Sequence, residues 1–360
     1  MNEITNPAEQ LAAWLTALEA RVASLEKGLT TLPLPTKTEP VKPLLQYDNV
    51  NLDITISGQD KLAAAIVMTR PGGIINVWPG NYNDAAIIKV PLTIAGKSRL
   101  TTSFSNKTYN DKAVFVIAAR DVSIRDLEIF NVRSSSGNGC AVRISENGGN
   151  LTLDNLYVHN CQMGVLGKLD DDSDDAPGES VDAGFVHIKN SRFENFKSGS
   201  AHAHAIYIVF ADEFSLDNCT VTGAIDGHLV KTGAKKISIT NNVIAILESK
   251  SGRCFDLFAG NDVLIKGNVI QGSDKADNSH FINYGGEQAR MGKGPHRLII
   301  EDNLFIVDEP MIPNQTATRP PHQRQWNIIR PMEEFFTGEY EIIFKDNVVI
   351  GPADFEGFYC

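Results

Sequence analysis

The sequence predicts an all-β protein, a single right-handed parallel β-helix carried behind a short N-terminal coiled-coil helix. Two observations predict this: a strand-like pattern recurs along most of the chain, and an apolar heptad seam occupies its first thirty residues. We divide the chain into an oligomerisation helix over residues 1–31, a proline-rich linker over 32–49 and a β-helix domain over 50–360.

The N-terminal helix is predicted from a narrow seam. Its apolar residues alternate steps of three and four, the spacing of a coiled coil, and they are Ala8, Leu11, Leu15, Leu18, Val22, Leu25 and Leu29. Asn6 and Pro7 suit the N-cap and the first helical position. We expect this helix to join copies of the chain. The alternative is an amphipathic helix folded back onto the domain. The prolines of residues 32–43 then predict an extended spacer.

The repeated pattern begins near residue 120. Each copy reads apolar, any, apolar, any, then a bend residue, two variable residues and another apolar residue, as in 237–244. The alternation buries Ile237 and Ile239 and turns the residues between them to solvent. Asn, Asp and Gly suit the bend because they tolerate left-handed backbone. The predicted bend residues are Asp126, Asn155, Asn190, Asn218, Asn241, Gly267, Asp302 and Asp346.

The segment before the repeats has the order of a capped solenoid. A short apolar helix over residues 59–69 leads through Pro71-Gly72-Gly73 into the strand 74–77, and Pro79-Gly80-Asn81-Tyr82 follows. This order resembles the beginning of pectin-lyase-like β-helix proteins, and the resemblance covers roughly residues 50–350. It implies the fold, but one fold hosts many activities.

Composition and charge restrict the function classes. The formal net charge of −11 disfavours nucleic acid as a partner, because phosphate binding needs clustered cations. No apolar run is long enough for a membrane span, and no secretory signal peptide is visible. The five cysteines are widely spread without a C-x-x-C pair, so we interpret them as reduced packing residues and predict no metal site from them.

The segment from residue 199 to 290 is rich in ionisable side chains. Tyr207, Lys231 and Asp256 lie at nearly equal distances before successive bends, and His204, His228 and Arg253 lie slightly further back. If the turns stack in register, this spacing predicts two columns of side chains. We predict catalytic roles for His204, Tyr207, His228, Lys231, Arg253 and Asp256, and substrate-binding roles for Asn278, Asn283, Tyr284, Glu287 and Trp326. Such a patch suits acid–base chemistry or sugar binding. The alternative is an ordinary solvated face.

A second resemblance concerns the centre of this segment. Residues 227–232, followed by 241–244 and 261–268, resemble the centre of β-helix alginate and chondroitin lyases. Those enzymes use a lysine as base and an arginine as acid on the next turn, often with calcium. The resemblance implies that Lys231 is the base. Phe258 stands where the arginine is expected, and Arg253 lies nearby but off register.

Two insertions carry further candidates. The acidic stretch 170–182 has carboxylates that could cage calcium, but it lacks the glycine and final glutamate of an EF-hand loop, and a solvated loop is our preferred interpretation. We therefore predict no required cofactor, with calcium as the alternative. The loop 309–334 holds Trp326, Arg330 and further basic residues. It could stack on a sugar ring, meet another subunit or close the end of the solenoid.

The whole arrangement resembles bacteriophage tailspike and tail-fibre proteins, in which trimeric β-helices bind or cut bacterial surface polysaccharide. The resemblance implies a homotrimer located on the virion, attached to other tail proteins through its N-terminal end. The seam alone does not distinguish three strands from two. Two alternatives remain open: a polysaccharide lyase or glycoside hydrolase that is not attached to a virion, and a non-catalytic structural or adhesion protein. Whether the protein is an enzyme also stays open.

Removal of residues 1–30 tests the oligomerisation helix. Because the heptad seam supplies the contact between chains, we expect the mass measured by light scattering to fall from that of an oligomer to that of a monomer. An identical mass before and after the deletion would contradict the prediction.

Overall fold

The computed structural model describes a large part of the chain, all within the compact unit Leu44–Cys360. The described residues are 46–47, 53–59, 61–145, 147–167, 184–199, 202–247, 249–260, 262–273, 276, 278, 280–286, 296–306, 327–331 and 339–351. The predicted coiled-coil helix and the acidic stretch 170–182 lie outside them. So does the predicted linker, except that Gln46 and Tyr47 form a short strand.

The strands of the described residues form three long sheets. Sheet A contains β1 (Gln46–Tyr47), β2 (Asp53–Ile56), β3 (Gly73–Val77), β6 (Leu92–Gly96), β9 (Val122–Arg125), β12 (Leu151–Asp154), β15 (Phe185–Lys189), β18 (Glu213–Asp217), β21 (Lys236–Thr240), β24 (Asp262–Lys266), β27 (His296–Glu301) and β30 (Tyr340–Lys345). Sheet B contains β4 (Gly80–Tyr82), β7 (Thr102–Ser105), β10 (Glu128–Phe130), β13 (Tyr157–His159), β16 (Arg192–Lys197), β19 (Thr220–Ile225), β22 (Val243–Ala245), β25 (Val269–Gln271), β28 (Leu304–Ile306) and β31 (Val348–Ile350). Sheet C contains β5 (Ala86–Ile88), β8 (Ala113–Ile117), β11 (Cys140–Ile144), β14 (Met163–Gly167), β17 (Ile206–Ile208), β20 (Val230–Thr232), β23 (Phe255–Leu257), β26 (His280–Tyr284) and β29 (Asn327–Pro331).

The chain visits the three sheets in turn, so each winding adds one strand to A, then B, then C. Neighbouring windings pair in parallel and in register, whereas β1 and β2 run antiparallel. Ile237 therefore lies beside Phe214 on one side and Val263 on the other, and all three are buried. This arrangement confirms the predicted parallel β-helix.

A short helix covers the beginning of the solenoid. Helix α1 (Leu62–Met68) is shorter than the predicted 59–69, and it buries Leu62, Ala65 and Ile66. The carboxylate of Asp84 accepts a hydrogen bond from the Leu62 N–H at 2.9 Å, which holds the first turn of the helix. Among the described residues, no helix has the length and apolarity of a membrane span.

The predicted bend residues line the corner between sheets A and B. All of them have left-handed backbone, with φ from 52° at Asn218 to 68° at Gly267. Their side chains also bond from turn to turn: the Asn155 amide donates to Asp126 at 2.7 Å, and the Asn218 amide donates to Asn190 at 2.8 Å. The prediction of a bend at each position is confirmed, because only a few residue types adopt this conformation at low cost.

A second asparagine ladder lies one residue further on, inside the solenoid, and sequence reasoning missed it. The side-chain amide of Asn242 donates to Asn268, that of Asn268 to Asn303, and that of Asn303 to Asn347, each at 2.9 Å. Asn268 is fully buried. Its amide also donates to the carbonyl of Ile239 at 2.9 Å, so the ladder ties side chains and backbone of neighbouring turns together.

Replacing Asn268 with alanine tests this ladder. The change leaves buried groups on both neighbouring turns without partners, and we expect the free energy of unfolding to fall by about 2–4 kcal/mol. Chemical denaturation followed by circular dichroism measures it. Ser238→Ala, on the outward face of β21, is the control and should change stability by less than about 0.5 kcal/mol. Equal stability of the two variants would contradict a structural role for the ladder.

Candidate functional site

A column of polar side chains crosses the outward face of sheet C. Tyr207 pairs with Lys231, Lys231 with Asp256, Asp256 with Asn283, and Asn283 with Arg330. Strand alternation turns these residues outward, because the strand neighbours of the first three are fully buried. Five consecutive turns thus present one polar side chain each at the same height. We call these five residues the sheet C column.

Asp256 is the centre of the column. Its Oδ2 lies 3.3 Å from Nζ of Lys231 and 3.3 Å from Nε2 of His228. Its Oδ1 accepts a hydrogen bond from the Asn283 amide at 2.8 Å. Burial raises the pKa of Asp256, but His228, Lys231 and the Asn283 hydrogen bond together outweigh burial and hold the pKa below its usual value. The carboxylate is therefore ionised at neutral pH.

Lys231 is enclosed by aromatic rings as well as by this carboxylate. Its Nζ lies 5.3 Å from the ring centre of Tyr207 and 5.0 Å from that of Phe258. Ring faces attract a cation, and the lysine side chain is only 15% exposed. Phe258, at the position where the lyase resemblance expects an arginine, instead contributes a wall around the lysine.

Two stacked histidines lie beside the column. The rings of His204 and His228 are 5.2 Å apart, and the backbone N–H of His228 donates to Nδ1 of His204 at 2.8 Å. Burial lowers the pKa of His204 to about 3 and that of His228 to about 4. Both imidazoles are therefore neutral at physiological pH.

Nδ1 of His228 is buried and has no hydrogen-bond partner in the part of the chain that the structure describes. Gly252 lies against this nitrogen, and a Cβ there would come within 2.6 Å of it. Only glycine lets the next turn approach the histidine so closely. The backbone thus restricts His228 to this position on the face.

Arg253 extends the site to the following turn. Its Nε donates to Nε2 of His280 at 2.6 Å, and its Nη2 donates to the Asn278 side chain at 3.0 Å. Burial, with Arg253 and Arg330 nearby, lowers the pKa of His280 to about 3. The guanidinium is therefore bonded to groups of the next turn.

The structure brings most of the predicted site residues together. The six predicted catalytic residues lie on three neighbouring turns, and Asn278 and Asn283 join them through Arg253 and Asp256. Their roles stay predictions. Tyr284 does not join this face: Asn283 faces outward, so Tyr284 faces the core, where it is fully buried. Glu287 and Trp326 lie outside the described residues.

Sequence reasoning missed three residues of this face: His280, Phe258 as a wall of the lysine site, and Arg330 as a member of the column. Arg330 was placed in the loop 309–334, but residues Asn327–Pro331 form strand β29. The apolar pair Ile328-Ile329 before Arg330 was the available signal for a strand. Within the described residues, no three His, Cys, Asp or Glu side chains are grouped to hold a metal ion.

No protein-family model and no curated protein matches this sequence. Solved structures do match. The alginate lyase from Paenibacillus sp. str. FPU-7 has 13% sequence identity and a TM-score of 0.56, covering 83% of this chain and 98% of the lyase. The PL6 family alginate lyase AlyGC has 12% identity and a TM-score of 0.53, covering 87% of this chain but 41% of AlyGC. At such low identity, the likeness shows that this chain shares their parallel β-helix fold and shows nothing of its activity.

His204→Asn tests the buried neutral histidine. A His pKa lowered from 6.5 to about 3 contributes stability that is complete above pH 6.5 and is lost as the pH falls towards 3. Asn keeps an acceptor for the His228 N–H but does not titrate. We therefore expect the free energy of unfolding of the variant to fall less steeply between pH 7 and pH 4, measured by chemical denaturation. His187→Asn, on the outward face of sheet A, is the control. Identical slopes for His204→Asn and wild type would refute the prediction.

Proposed function

We propose that this protein binds polysaccharide along the outward face of sheet C, with Lys231, Asp256 and His228 at the centre of the contact. The observation that carries the proposal is the in-register column of hydrogen-bonding and charged side chains on a rigid solenoid. Such groups bind without a large loss of conformational entropy, because the stacked strands already hold them in place.

The dimensions of the column suit a chain-like ligand. Its five residues belong to successive strands about 4.8 Å apart, so the column extends over roughly 19 Å. A polysaccharide can follow such a row and meet a donor or acceptor at each turn. The aromatic rings of Tyr207 and Phe258 add apolar surface beside Lys231.

The charges of this face favour an acidic sugar. Lys231, Arg253 and Arg330 are cationic, whereas Asp256 is the anion that the described residues place among them. The three buried histidines are neutral. This local positive excess, in a chain of net charge −11, attracts an anionic glycan to one face. The two structural neighbours named above are alginate lyases, which supports polysaccharide as the ligand class.

The finer role that we propose is that of a phage-type tailspike. The heptad seam of residues 1–31, the proline-rich linker and the β-helix support a homotrimer that is attached to other virion tail proteins at its N-terminal end and recognises bacterial surface polysaccharide. Electron microscopy of virions labelled with an antibody against the chain tests the location. Absence of label from the tail would contradict this role.

Eliminative cleavage is the second candidate function. Hydrolysis in most glycosidases needs two carboxyl groups, and the described part of this face places only Asp256 at its centre. Elimination instead needs a base for a ring proton and an acid for the leaving oxygen. The neutral His228 lies just before β20, and Tyr207 lies on the neighbouring strand β17, so these two residues are the candidate base and acid. Ultraviolet absorbance of the unsaturated product distinguishes cleavage from binding alone.

Lys231→Ala tests the binding proposal. Loss of the central cation should weaken the binding of polysaccharide at least ~10-fold, which corresponds to about 1.4 kcal/mol of binding free energy. The melting temperature should change by a few degrees at most. His228→Ala should weaken it similarly. Isothermal titration against capsule or lipopolysaccharide preparations measures the affinity. Lys235→Ala is the matched control, because Lys235 pairs with Asp212 outside the column at 2.7 Å. Wild-type affinity of both site variants would remove this face from consideration.

A further inference from the structure

A cleft of about 280 Å³ opens on the outward side of sheet A, at the first two turns of the solenoid. It is lined by Asn76, Val77, Trp78 and Pro79 on one turn and by Ala95, Gly96 and Lys97 on the next. The cleft belongs to strands β3 and β6, whereas the sheet C column begins at β17, several turns further along. It is therefore separate from the site described above.

The register of β3 and β6 creates this cleft. Asn76 lies beside Ala95 and Val77 beside Gly96, and Trp78 and Lys97 are the residues that follow these two strands along the chain. Small residues thus stand between large ones and leave a gap. Gly96 cannot be larger, because a Cβ there would come within 2.1 Å of the carbonyl oxygen of Asp126.

Trp78 is held firmly by its backbone while its ring is exposed. Its N–H donates to the carbonyl of Ile56 at 3.1 Å, and its carbonyl accepts a hydrogen bond from the hydroxyl of Tyr82 at 2.8 Å. The residue is nevertheless 51% exposed. A fixed backbone and an exposed indole together present a preorganised aromatic surface.

The polar side chains among the lining residues are unengaged. The structure shows no hydrogen-bond or ion-pair partner for the indole N–H of Trp78, the ammonium of Lys97 or the side-chain amide of Asn76 among the described residues. Other lysines on the outward face of sheet A are paired: Lys189 lies 3.4 Å from Asp154, and Lys266 lies 2.6 Å from Glu301. Three donors thus belong to residues that line a space beside an aromatic ring, which is the composition of a small-ligand site.

We propose that this cleft binds one sugar ring of the polysaccharide, as a second contact remote from the sheet C column. This inference rests on the proposed function for the class of ligand. A pyranose ring has an apolar C–H face for the Trp78 indole and a rim of oxygens for the three donors. The volume is just below the range of about 300–1,000 Å³ typical of sites for drug-sized ligands, so the cleft holds a single ring.

Two remote contacts on one polymer have an energetic consequence. Once one segment is bound at the column, the cleft meets the same chain at a high effective concentration. The cleft therefore contributes most to long polysaccharides that reach both places and little to short fragments. Lys97 adds a preference for a ring that bears a carboxylate, sulfate or phosphate.

The test is isothermal titration of the full-length protein against alginate and a panel of acidic and neutral bacterial polysaccharides. We expect Trp78→Ala, and Ala95→Leu, which fills the cleft, to weaken binding of the best long glycan at least 10-fold. Trp78→Phe keeps a ring without the N–H and should lose less. Lys97→Ala should weaken acidic glycans and leave neutral ones unchanged. Leu100→Ala is the matched control, because Leu100 is 67% exposed but does not line the cleft. Circular dichroism confirms folding of each variant.

The outcomes separate this inference from the proposed function. Weaker binding in Trp78→Ala and Ala95→Leu, but not in Leu100→Ala, supports the cleft, and it does so even if Lys231→Ala binds normally and the sheet C proposal fails. Wild-type affinity in both cleft variants, with weakened binding in Lys231→Ala, overturns the cleft alone. Absence of binding by the wild-type protein to every glycan of the panel overturns both. Intrinsic fluorescence gives a second readout, since the chain has three tryptophans and Trp78→Ala should show a smaller sugar-induced change in emission than the wild-type protein.

Discussion

In-register stacking of successive turns is the constraint on which the rest of this structure depends. Each strand bonds to the strand one turn before and one turn after, and matching residues stack in columns, as Leu216, Ile239 and Ile265 do inside sheet A. A shift of one residue would exchange the buried and solvent faces of a strand. The buried ladder from Asn242 to Asn347 adds a polar restraint on the same register, because each amide finds its partners at only one height.

The same stacking assembles the candidate site. Lys231, Asp256 and Asn283 are far apart along the chain, yet register alone makes them neighbours. Ionised groups are expensive to bury, so a nearly buried Lys–Asp pair beside neutral histidines is a costly arrangement for a purely structural surface. Clusters of perturbed ionisable groups are concentrated at functional sites, which is why this face, among the described ones, supports the proposal best.

The likeness to alginate lyases and the details of the site have separate meanings. The shared parallel β-helix follows from the repeat of strands and bends, which many sequences can satisfy. The chemistry depends on single positions, and here Phe258 encloses Lys231 where the resemblance expects an arginine, while Arg253 bonds to His280 on the next turn. An enclosed, ion-paired lysine acts as a fixed cation, which suits the binding of an anionic sugar more directly than proton abstraction.

The sequence by itself determined the solenoid, the bends and the first three members of the sheet C column. These features are local, since alternation and left-handed residues such as Asn155 and Asn241 follow from short-range sterics, and counting back from each bend placed Tyr207, Lys231 and Asp256 at one height. Only the tertiary structure decided that Tyr284 faces the core and that Arg330 lies in a strand. It also decided that Asn268 bonds to asparagines of the neighbouring turns and that Trp78 lines a cleft. The physical reason is that insertions of different length separate the turns, so the neighbours of these residues are set by packing between windings and not by spacing along the chain.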